Sequence, residues 1–207
     1  MGSPTTSAEL RVSQTWTLPD PWADTRAEAR ALREHQRLSV ATAAAAIVSA
    51  GALAVTPPGT IAMLAAVLGA WLVVSGALQL AEAALTHTGT GAARALAAVG
   101  GLLHVSVGVV CVRGLLTSPG VLAIVLGMAW LAGGIAGLLA ATSSARGGWA
   151  LQGAVLTAAA AIAAGLALAF WPGITLPGLR GVALGLLASV AGLHVLLTVR
   201  ATRPADC

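Results

Sequence analysis

Six stretches of this chain run long enough without charge to cross a lipid bilayer, and that pattern excludes most folds. They fall at 38–56, 60–85, 95–112, 121–142, 149–170 and 181–199, separated from one another by Arg and by Pro-Gly punctuation. A spanning helix needs roughly 20 mostly apolar residues. It must be a helix because lipid offers the backbone no hydrogen-bond partner. One acid, Glu82, and no Arg fall inside these stretches. The composition agrees, with 57% hydrophobic and only 9% charged residues and a mean hydropathy of +0.89, whereas soluble domains carry about 25% charged residues.

The expected fold is therefore all-α, a polytopic membrane protein with six transmembrane helices. Its orientation follows from arginine, because cytoplasmic loops retain positive charge. Arg11, Arg26, Arg30, Arg33, Arg37, Arg94, Arg146, Arg200 and Arg203 lie on one side, and Arg113 and Arg180 lie on the other. Nine against two places both termini in the cytoplasm. The net charge of +4 and the pI near 11.0 thus reflect orientation and give no reason to expect nucleic acid. Trp149 and Trp171, at opposite ends of the fifth stretch, match the headgroup preference of indole.

Residues 1–37 form a polar arm. They lack the basic start, short apolar core and cleavage site of a signal peptide, so they are expected to stay on the protein. Asp20-Pro21 is a helix-start signal, and Trp22 to Arg37 reads as a charged juxtamembrane helix. Residues 200–207 form a short cytoplasmic tail. Cys111 and Cys207 stand too far apart for a metal or redox motif.

The return helices share a spacing. Gly69, Gly127 and Gly185 are each 58 residues apart, and so are Gly76, Gly134 and Gly192. Within each helix the two glycines are seven apart, on one face, where a neighbouring backbone can approach closely. Gly133 with Gly137 and Gly181 with Gly185 add small-xxx-small spacing. The outer turns are also alike: Pro57-Pro58-Gly59, Ser118-Pro119-Gly120, and Trp171-Pro172-Gly173 followed by Pro177-Gly178. Three parallel-related helical hairpin repeats are expected, at about 38–85, 95–142 and 149–199.

These residues carry a resemblance. Phe170-Trp171-Pro172-Gly173-Ile174-Thr175-Leu176, leading into a helix with Gly185 and Gly192, resembles the hallmark of the HdeD family of bacterial membrane proteins. Pro58-Gly59-Thr60, Gly69-Ala70-Trp71-Leu72 and Ser75-Gly76-Ala77-Leu78-Gln79-Leu80 resemble the same pattern in the first repeat. The likeness covers about residues 38–199; the middle turn lacks the Trp, and the long arm departs from the pattern. It implies an inner-membrane protein associated with acid resistance and stress tolerance, with no catalytic residues.

Polar groups inside the spans are the candidates for function. Ser75, Gln79, Glu82 and Thr86 recur at helical spacing on one stripe of the second helix, extended by Trp71. Glu82 also lies close enough to the cytoplasmic end to reach headgroup water. His104 sits deep in the third span between Gly100 and Gly108, and serves either as a proton relay or as one buried interhelical hydrogen bond. His194 and Gln152 are shallower, while His35 and His87 lie outside the spans. The positions 58 and 116 beyond Gln79 are Gly137 and Val195, and those beyond Glu82 are Ala140 and Thr198. A threefold pore would repeat its polar residues, so at most one asymmetric site is expected.

Metalloprotease, phosphate-loop and nucleophile-elbow motifs are absent from the sequence, so no enzyme, catalytic residue, metal or cofactor is expected. The leading expectation is a non-enzymatic protein of HdeD type supporting acid or envelope stress tolerance. A small proton-coupled transporter using Gln79, Glu82 and His104 is one alternative. The other is an accessory subunit of a larger membrane complex. The expected partners are the lipid bilayer and either another membrane protein or further copies of the chain.

Overall fold

The computed structural model describes residues 23–55, 60–85, 90–143, 148–171 and 173–202. They form α1 (Ala23–Val55), α2 (Ile61–Leu85), α3 (Gly91–Val112), α4 (Pro119–Ser143), α5 (Gly148–Ala169) and α6 (Leu176–Thr202). All six are long and apolar enough to cross a membrane, and the described residues contain no strand. The turn Pro57-Pro58-Gly59, Asp20-Pro21 with Trp22, and Thr86, His87, Arg146, Pro172 and Cys207 lie outside the described residues.

Local chemistry sets the ends. Thr90 caps α3, its hydroxyl accepting from the Ala93 N–H at 3.2 Å. The far end of α3 closes on Arg113 and Gly114, whose N–H groups donate to Val109 and Cys111 at 2.9 and 3.0 Å. Gly114 takes φ +66° there, a conformation that glycine adopts without steric cost. Two proline signals that read as turns are helix starts. Pro119-Gly120 opens α4, and Pro177-Gly178 lies in the first turn of α6, where the Gly178 N–H donates to Thr175 Oγ1 at 3.4 Å. Proline is tolerated there because first-turn N–H groups have no intrahelical partner. The sixth helix thus begins at Leu176 rather than Gly181. At the other end of the chain, the charged segment and the first span are one unbroken 33-residue helix. Its length of about 50 Å exceeds the roughly 30 Å hydrocarbon layer, so α1 projects well beyond it.

The helices are arranged in a ring in which each contacts its sequence neighbours and α6 meets α1. The closest pairs are α2 with α3 and α4 with α5, not the outgoing and return helices of each expected hairpin. Glycine is the reason. A Cβ on Gly69 would lie 2.7 Å from the carbonyl of Gly108, and one on Gly76 2.5 Å from that of Gly101. On α4, Gly127 faces the Gly165 carbonyl at 2.8 Å and Gly134 that of Ala158 at 2.9 Å. Each seam brings together two small-residue pairs spaced by seven, on antiparallel helices whose backbones nearly touch. In lipid, where apolar burial does not drive association, such packing contacts hold helices together.

The third return helix departs from this pattern: nothing lies within 4 Å of a Cβ on Gly185 or Gly192, and both are exposed. The core shows why. Leu64, Leu68 and Leu72 of α2 and Leu122, Leu126 and Trp130 of α4 are buried at positions 58 residues apart. On α6 the corresponding buried row is Leu179, Ala183 and Leu187, one position earlier. Repeating the 58-residue spacing from Leu64 and Leu122 would put Arg180 into the core. Burying a guanidinium there costs several kcal/mol. The helix is therefore turned by one residue, about 100°. Arg180 instead donates to the carbonyls of Leu53 and, at 3.0 Å, Ala54. Both carbonyls lie in the last turn of α1, at the negative end of the helix dipole, where a cation is favourable.

Candidate functional site

The two buried polar side chains among the described residues are Ser75 and His104. The Ser75 hydroxyl is spent on its own helix, donating to Leu72 O at 3.1 Å. His104 is held more elaborately. Its Nδ1 lies 2.8 Å from Gly100 O, and a carbonyl only accepts, so Nδ1 carries the proton. The other edge of the ring rests on α4 at Gly133. A Cβ on Gly133 would collide with Cε1 and stand 2.9 Å from Nε2. Gly133 is thus the notch that admits the imidazole. The hydrogen bond of His104 Nδ1 runs along its own helix rather than between helices, and its contact with α4 is one of shape.

Gln79 reaches the same point from α2. Its Oε1 lies 3.5 Å from the Cβ position of Gly100, and its Cβ 3.2 Å from that of Gly101. Ala136 of α4 closes the far side at 3.4 Å. Three helices therefore meet around Gly100, with Gln79 and His104 on either side of it. Glu82 lies three residues further along α2, half-buried and itself engaged. Along the stripe, Trp71 and Ser75 are buried and Gln79 and Glu82 half-buried.

The remaining sequence candidates are dispersed. His194 is half-buried on α6, its Nδ1 2.9 Å from Ser39 Oγ of α1. Gln152 is exposed. Phe170 and Trp171 are exposed at the end of α5, where an aromatic belt residue belongs. Among the described residues no three His, Cys, Asp or Glu side chains gather as a metal group. Sequence reasoning missed the partners of the return-helix glycines: Gly101 with Gly108, and Ala158 with Gly165. Both carry the same signal, small residues seven apart.

Compared with known proteins, the chain matches no family model, no curated protein and no solved structure. The fold and the apolar helices define the class: an integral, multi-pass helical membrane protein.

Proposed function

We propose that this chain is a non-enzymatic protein of the bacterial inner membrane, of HdeD type, with both termini cytoplasmic, and that it supports tolerance of acid or envelope stress. The turn Phe170 to Leu176 and the first-repeat motif support the type, and the nine-to-two arginine count supports the orientation. The observation that carries the non-enzymatic part is how the polar groups are used. His104 is bonded to Gly100 and wedged against Gly133, and Ser75 is bonded to Leu72. A proton-coupled permease would require Gln79, Glu82 and His104 to exchange protons or ligands along one path. The contacts of His104 and Gln79 instead favour a packing role.

Deletion of the gene, followed by acid and envelope challenge, tests the proposal. Survival is expected to fall and to be restored by the wild-type chain. Unchanged survival under both challenges would remove the physiological reading.

A further inference from the structure

The two closed seams leave a third one legible but unfilled. On the return helices the pairs are Gly69 and Gly76, Gly127 and Gly134, and Gly185 and Gly192, at a repeat of 58 residues. The outgoing helices carry their own series at a repeat of 57: Ala44, Gly101 and Ala158, and Gly51, Gly108 and Gly165. Every member of the first two seams is buried, whereas Ala44, Gly51, Gly185 and Gly192 are all exposed. A Cβ on Gly51, Gly185 or Gly192 meets nothing within 4 Å. The missing seam thus has both halves, spaced as in the other two.

The chain does not close this seam on itself. α1 meets α6 through Ser39 with His194 and through Leu53 and Ala54 with Arg180. At about 100° per residue, Gly185 and Gly192 point well over 90° away from that contact on α6. On α1, Ala44 and Gly51 point about 120° or more away from Ser39 and from Leu53. Exposure to lipid is ordinary for apolar residues. What singles out these faces is that each is the half of a pair whose counterparts pack backbone to backbone twice in this same fold.

We propose that the Gly185 and Gly192 face of α6 in one copy receives the Ala44 and Gly51 face of α1 from a second copy, assembling chains head to tail through the third seam. The membrane orientation permits it. α1 and α6 run in opposite senses, as α2 with α3 and α4 with α5 do, so two copies inserted the same way present antiparallel partners. Such a contact is heterologous and closes into a ring when its rotation allows.

Cysteine trapping in native membranes tests the interface, in a full-length background carrying Cys111→Ala and Cys207→Ser. In the first seam the Gln79 Cβ lies 3.2 Å from the Cβ position of Gly101, and the counterparts of that pair in the third seam, Val195 and Ala44, would fall within disulfide reach without filling a glycine position. Co-expressed Ala44→Cys and Val195→Cys chains are expected to form a disulfide dimer on mild oxidation, well above either variant alone. Adding Gly185→Leu to the second chain is expected to abolish that dimer while its thermal unfolding stays unchanged, because the position is open. A mixture that yields no dimer above the single-variant controls would overturn the proposal. So would an Ala44→Cys, Val195→Cys double variant that links only within one chain, since its own α1 would then fill the seam.

Discussion

At Gly133 and His104 one missing side chain decides where another goes. The imidazole keeps its Nδ1 proton on Gly100 O and lays its opposite edge against α4. A methyl group at 133 would occupy the space of Cε1, so either α4 shifts or the ring leaves its carbonyl. Overpacking of this kind costs about 1–3 kcal/mol. Gly133→Ala is expected to lower the unfolding temperature in detergent, and His104→Ala in the same chain to recover part of the loss. A double-mutant cycle reads this coupling directly. Additive effects of the two substitutions would mean that the ring and the notch do not press on each other. The sequence placed His104 beside glycines and deep in its helix. It marked Gly133 only as half of a small-residue pair with Gly137 and did not join it to His104, which is 29 positions away on another helix.

For the helices, the same motif has two outcomes. Gly76 and Gly192 are equivalent in sequence, yet one abuts the carbonyl of Gly101 and the other faces open space. Gly76→Ala is therefore expected to destabilise the folded protein by about 1–3 kcal/mol, because a backbone carbonyl cannot rotate away as a side chain can. In single chains dissociated by detergent, Gly192→Ala is expected to leave stability unchanged or slightly raised, since alanine favours helix over glycine by up to about 1 kcal/mol. Unfolding of both variants in the same detergent checks the contrast. Equal losses would mean that α6 is packed through its glycine face as α2 is. A heptad pair of glycines was readable as a narrow helix face. Which helix fills that face depends on the angle at which the core holds the helix, and on α6 that angle is set by Arg180.

For the whole molecule, the charge asymmetry makes a prediction independent of packing. A membrane-impermeant maleimide applied to intact cells is expected to label Leu115→Cys, on the outer turn after α3, and to leave Cys207 unlabelled until the cells are broken. The reverse pattern would invert the topology. Arg113 and Arg180 sit at one side of the helix layer, at the end of α3 and the start of α6, and Arg33, Arg37 and Arg94 lie toward the other side, along α1 and at the start of α3. The ring itself adds what no count of charges contains: α1, attached through a single connection, is the least enclosed helix, with 17% of its span buried against 44% for α2.

The number of spans, their approximate ends and the uneven charge across them followed from the sequence alone. Each depends on the free energy of transferring one segment, or one charge, between water and lipid, which is local to that segment. Tertiary structure alone decided that α2 joins α3 and α4 joins α5, that His104 lodges at Gly133, and that α6 is turned so that Gly185 and Gly192 face outward. Those outcomes depend on which surfaces compete for the same neighbour. A single residue such as Arg180 settles that competition only once the rest of the core is in place.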